Sequence, residues 1–182
     1  MTAAAKLTEE TVYVKSLEEP RFERIFGTVY AMSSPGYKHQ SVLLAIGTQL
    51  REKLHATDCI PIIAPFDVYP LFEKGDKYTL VQPDIFLACD KLKLKDNRYN
   101  GAPKFIIEIL SSNRSHDMVT KLNLYEKAGV NEYWMIDPEE QVITALEFSE
   151  GNYIHHGYTG EDEVPLFSIP GCVIEFKKVF EA

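Results

Sequence analysis

Apolar and polar positions in this chain switch between a helical period and a strand period, and the switch points mark the elements. Thr8 to Leu17 fits a short helix capped by Thr8, with Glu9 and Glu10 in its first turn and Pro20 beyond its end. Arg24 to Met32 reads as a strand and Ser33-Ser34-Pro35-Gly36 as a turn. Tyr37 to Leu54 places Val42, Leu43, Ile46, Leu50 and Leu54 at helical spacing, which predicts a long helix with one buried face. From Ile60 to Leu92 the pattern is β. Pro65 interrupts the run Ile62 to Tyr69, and Pro83 falls inside Tyr78 to Ala88, so both prolines are expected at strand starts or bulges. Asp90 to Pro103 is polar and reads as a loop. Phe105 to Leu110 is apolar almost throughout and predicts a fully buried strand. A helix is expected over Ser115 to Ala128, closed by Gly129, and then a strand over Glu132 to Ile136, stopped by Asp137-Pro138. Val142 to Phe148 and Tyr153 to Tyr158 form a hairpin pattern around Gly151-Asn152, and Cys172 to Phe176 reads as a last strand. This order predicts an α+β or mixed α/β domain with one central sheet.

Charges interrupt that pattern at three places. Asp84 and Glu108 lie in strands that otherwise bury apolar side chains. Lys121 lies inside the apolar stripe Met118, Leu122, Tyr125 and Ala128 of the second long helix. Buried charges are tolerated mainly when they are paired or bind a metal. One reading is a structural Glu108–Lys121 ion pair, or a lysine whose stem is buried while its tip reaches water. The other is a phosphoryl-transfer site: two carboxylates suit Mg2+, and a lysine can orient a nucleophile or stabilise developing charge. Lys104 shares strand parity with Glu108, but four residues of strand separate them by about 13 Å, too far to serve one phosphate.

At 182 residues, 45% apolar and 25% charged, the chain fits one globular domain. No stretch approaches the ~20 apolar residues of a membrane span, and the N-terminus lacks the apolar core of a signal peptide. A cytoplasmic protein without a membrane partner is therefore expected. Cys59, Cys89 and Cys172 are scattered beside apolar runs, which suggests buried thiols in a reducing compartment. The net charge of −8 argues against coating nucleic acid by bulk charge, but not against a local basic patch. Lys91, Lys93, Lys95 and Arg98 crowd one stretch that holds only Asp90 and Asp96 in opposition. It reads either as a solvated loop or as a phosphate-contacting arm, with Arg114 a further basic candidate.

Ordered phrases along the chain carry a resemblance. They are Arg21-Phe22-Glu23, Met32-Ser33-Ser34-Pro35, His39-Gln40, Pro65-Phe66-Asp67-Val68, Val81-Gln82-Pro83-Asp84 and Gly101-Ala102-Pro103. They continue with Glu108-Ile109-Leu110-Ser111, Lys121 with Tyr125, and Ala128 to Trp134 running into Ile136-Asp137-Pro138. Together they resemble the PD-(D/E)XK nuclease superfamily, and within it the Uma family of restriction-endonuclease-like proteins. The superfamily's lysine two residues after the acid is missing, because Leu110 stands there. In this branch the lysine has moved to the following helix, where Lys121 lies.

The resemblance implies a restriction-endonuclease-like α/β core over 21–138. An N-terminal helix would lie in 1–20, and a C-terminal hairpin and strand in 139–182. It implies Mg2+- or Mn2+-dependent endonucleolytic hydrolysis of DNA, with Asp84 and Glu108 as metal ligands and Lys121 as the catalytic lysine. Asp67, Glu23 and His39 are possible additional site residues, for each of which an ordinary structural role stays open. Lys91, Lys93, Lys95, Arg98 and Arg114 are the DNA-binding candidates. Duplex cleavage favours a homodimer, since each chain has one site. Two other readings stay open: a catalytically silent binding module and a hydrolase of another phosphate ester.

Overall fold

A computed structural model describes residues 21–111 and 115–181. The helix expected at Thr8 to Leu17, and Arg114, lie outside the described residues. The stretch expected as one strand from Arg24 to Met32 is a hairpin of β1 (Phe22–Ile25) and β2 (Thr28–Ala31). Phe26 and Gly27 both take positive φ, 50° and 84°, which makes the two-residue turn whose twist suits a hairpin. The apolar stripe of the first long helix is real: α1 (Tyr37–Lys53) buries Val42, Leu43, Ile46 and Leu50.

Then follow β3 (Ile60–Ile63), β4 (Asp67–Tyr69), β5 (Ile85–Ala88), β6 (Leu94–Lys95), β7 (Arg98–Asn100) and β8 (Phe105–Ile109). The second long helix is α2 (Ser115–Ala128), followed by β9 (Glu132–Asp137), β10 (Val142–Ser149) and β11 (Asn152–Thr159). The chain closes with β12 (Glu163–Pro165), β13 (Val173–Glu175) and α3 (Phe176–Phe180). The last predicted strand is thus cut short, with Phe176 opening a helix turn instead.

The central sheet has six strands in the order β11-β10-β9-β8-β5-β3. Only β8 and β9 run parallel, because α2 carries the chain back between them. The pleat sorts their side chains onto two faces. Phe105, Ile107 and Ile109 join α1, α3 and the C-terminal strands in one core. Ile106 joins Leu124, Tyr125 and Ala128 of α2, with Ile25 and Val68, in the other.

Two further expectations need correction. Asp90 to Pro103 is no plain loop: Lys91–Lys93 make a 3-10 turn, and β6 and β7 join β4 in a three-stranded sheet. The β4–β7 pairing is parallel and joins residues about thirty apart, such as Asp67 and Arg98, so local periodicity could not show it. The second correction concerns the cysteines. Cys59 and Cys89 are bonded to each other, with Cα atoms 3.9 Å apart, and only Cys172 is a free buried thiol. Antiparallel pairing of Ile60 with Ala88 brings these two together on the adjacent rung, which their separation in sequence conceals. No helix among the described residues is long and apolar enough to cross a membrane.

Candidate active site

The β5–β8 ladder pairs Phe86 with Ile106 and Ile85 with Ile107. Asp84 immediately precedes β5 and reaches the Ile109 N–H and His39 of α1, whereas Glu108 shares the parity of Ile106 and reaches Lys121 and Tyr125 of α2. Pro83 cannot donate to a ladder, and β5 starts only at Ile85, so Asp84 sits at the mouth of its strand. Glu108 lies inside β8 and is 4% exposed.

Each acid is gripped through one oxygen. Asp84 Oδ2 accepts from the Ile109 N–H at 2.8 Å and lies 3.1 Å from His39 Nε2, on the first turn of α1. Glu108 Oε1 accepts from Lys121 Nζ at 3.0 Å and from the Tyr125 hydroxyl at 2.8 Å. Lys121 and Tyr125 are four residues apart on α2 and so face the same point. Asp84 Oδ1 and Glu108 Oε2 accept no hydrogen bond from the described residues. A third acid arrives from the hairpin: Glu23, 2% exposed, has Oε2 2.9 Å from Lys121 Nζ. Its Oε1 accepts from the Gln82 backbone N–H at 2.9 Å.

The electrostatics follow from burial. Desolvation pushes the Glu108 carboxyl up to about 8; Lys121 pulls it down, and the charges of Asp84 and Glu23 add to the rise. Burial also raises Asp84. There the hydrogen bond and charge of His39, the Ile109 N–H and Lys121 prevail, and the carboxyl is held below its ordinary value. The Tyr125 hydroxyl is driven well above its usual range by burial and by the Glu108 charge, so it stays a donor.

Among the described residues no three His, Cys, Asp or Glu side chains close around one point, and the Lys121 ammonium pairs with both Glu23 and Glu108. The residues that could hold a cation are Asp84 and Glu108, each of which accepts its hydrogen bonds through one oxygen. Mg2+ suits such a set, since it takes one or two carboxylates and fills its remaining positions with water and substrate oxygens.

Of the residues expected from sequence, Asp84, Glu108, Lys121, Glu23 and His39 come together. Asp67 stands one residue outward: its Oδ1 accepts from Gln82 Nε2 at 2.8 Å and touches neither clamped carboxylate. Lys91 pairs with Asp58 at 3.3 Å and Lys93 with Glu73 at 2.7 Å, at the opposite end of β5 from Asp84. Arg98 lies beside Asp67 instead, with Lys95 one strand further out. Sequence reasoning missed Arg21, whose guanidinium reaches Gln82 Oε1 at 2.9 and 3.1 Å. It also gave Gln82 no structural task. The only signal was their place within the Arg21-Phe22-Glu23 and Gln82-Pro83-Asp84 phrases.

The fold is of the nuclease-fold class. Residues 10–176 match the model of the Uma2 family, described as "Putative restriction endonuclease", and the chain belongs to that family. A crystal structure of "a putative nuclease belonging to DUF820" from Anabaena variabilis is similar, with a TM-score of 0.70 at 20% identity. The likeness covers 89% of this chain and 90% of that one. No curated protein matches the chain.

Proposed function

We propose that this protein is an endonuclease that hydrolyses phosphodiester bonds in DNA with Mg2+ or Mn2+. Asp84 and Glu108 hold the cation, and Lys121 is the catalytic lysine. The observation that carries this reading is the pair of carboxylates on neighbouring strands, each clamped through one oxygen and open at the other, beside a buried lysine. Asp84 and Glu108 would hold the divalent cation, which when bound would supply Lewis-acid polarisation of the phosphoryl group and a more acidic water. The chain's own residues do the rest. His39 and the Ile109 N–H fix Asp84. Tyr125 and Lys121 fix Glu108. Glu23 holds the Lys121 ammonium against the site, where it orients the attacking water or stabilises charge on the phosphoryl oxygens. The protein acts in the cytoplasm, and as a homodimer when it cuts both strands of a duplex.

A second reading has one observation in its favour: Lys121 is already engaged by two carboxylates, as a purely structural ion pair in a silent binding module would be. Plasmid nicking separates the two. Nicking that needs Mg2+ or Mn2+, stops with chelator and disappears in Asp84→Asn and Glu108→Gln supports the nuclease. Unchanged nicking by Glu108→Gln removes Glu108 from the mechanism, and no nicking with any metal leaves the binding module.

A further inference from the structure

A row of polar side chains leads out of the site. Its first members are Arg21 and Gln82: the guanidinium grips Gln82 Oε1, and the backbone of Gln82 supports Glu23. The Gln82 amide passes the row to Asp67 on β4. Asp67 is the register partner of Arg98 on β7, and Arg98 is the register partner of Lys95 on β6. Cross-strand partners share a face, so Asp67, Arg98 and Lys95 stand in line on one side of the small sheet. The other side carries Val68 and Tyr99, both buried in the core. Tyr69 lies on the open side, and the Arg98 guanidinium covers its ring at 5.2 Å. Two acids belong to the row, but one is occupied: Asp67 takes the Gln82 amide. Asp96 makes a long ion pair with Arg98 at 3.9 Å, and its carboxylate is 83% exposed. Neither Arg21 nor Lys95 makes an ion pair among the described residues.

We infer that this row, Arg21, Arg98 and Lys95 with the Tyr69–Arg98 stack between them, is the track on which the nucleic acid backbone leaves the active site. The inference rests on the nuclease reading and assigns its substrate path. A backbone track needs accessible cations in line with the reacting centre, here Arg21 and Lys95 without an ion pair among the described residues and Arg98 with one long pair to an exposed acid, and an aromatic–guanidinium stack beside them offers a surface for an adjoining base. Lys91 and Lys93 come from the same basic stretch. They sit at the far end of β5, each closed by an acid, and lie off the track.

Two charge-matched double variants test it: Lys95→Gln with Arg98→Gln, and Lys91→Gln with Lys93→Gln. Each removes two positive charges, one from an exposed and one from a half-buried position. Affinity for a labelled DNA duplex is measured against salt with Ca2+ present, alongside Arg21→Gln. The Lys95/Arg98 variant should lose about two units of log–log salt slope and Arg21→Gln about one, while the Lys91/Lys93 variant keeps the wild-type slope. Equal slopes in the two double variants, or a greater loss in the Lys91/Lys93 variant, overturn the track but leave the nuclease standing. If wild type binds no nucleic acid, single-stranded or duplex, both readings fall.

Discussion

Glu108 has a charge that the surrounding core resists and that Lys121 draws out. The unfolded chain gives up this proton near 4.5, whereas the folded chain holds it up to about 8. Its contribution to stability is therefore complete below the unfolded value and is lost as pH rises toward 8. Relative to Glu108→Gln, wild type should lose stability steadily across that window, as read from urea midpoints at successive pH values; a constant difference would show that the folded and unfolded carboxyls titrate alike. Lys121 makes the complementary case. Lys121→Met leaves Glu23 and Glu108 buried without their shared cation, so a loss of about 3–5 kcal/mol is expected in chemical denaturation. Adding Glu23→Gln should return part of it, and strict additivity of the two changes would argue against direct coupling. At this scale the sequence was most informative where a charge broke an apolar pattern, as at Asp84, Glu108 and Lys121. Glu23 and His39 stood out less because their neighbours are mixed in polarity. The part played by Gln82 was hidden, since its backbone N–H does the supporting and a backbone group has no sequence signature.

The helices obeyed their periodicity, because one continuous apolar stripe against a sheet leaves a long signal. The short strands did not. β4, β6 and β7 have two or three residues each, and only Val68, Tyr99 and Leu94 face the core, so nothing local separated them from loop. The small sheet depends instead on a backbone corner at Gly101, which follows β7 with φ 137°. A Cβ there would lie 2.7 Å from Glu73 Oε2 and 3.0 Å from Lys93 Cδ. Gly101→Ala should therefore cost about 1–3 kcal/mol in thermal or urea unfolding, mostly from a conformation that side chains disfavour. An alanine tolerated without loss would mean that this corner is free to change its shape.

The opposite face of the sheet is completed by the end of the chain. Val164, Leu166, Ile174, Phe176 and Val179 join α1 in covering it. Glu132, wholly buried, fastens this segment by accepting the Ser168 N–H at 2.8 Å while it also takes Trp134 Nε1 at 2.7 Å. Removal of residues 161–182 should abolish cooperative unfolding and expose dye-binding apolar surface; a truncated protein with a sharp transition would show this face to be dispensable. The site is as distributed as the core. Its groups come from β1, α1, the approach to β5, the middle of β8 and the second turn of α2, so no contiguous half of the chain contains it. A nascent or locally opened chain holds acids without their lysine, or a lysine without its acids. The arrangement acts as an interlock: the cluster of acids and lysine is complete only when the last contributing helix has docked, so on the proposed nuclease reading a half-made molecule would lack the means to cut.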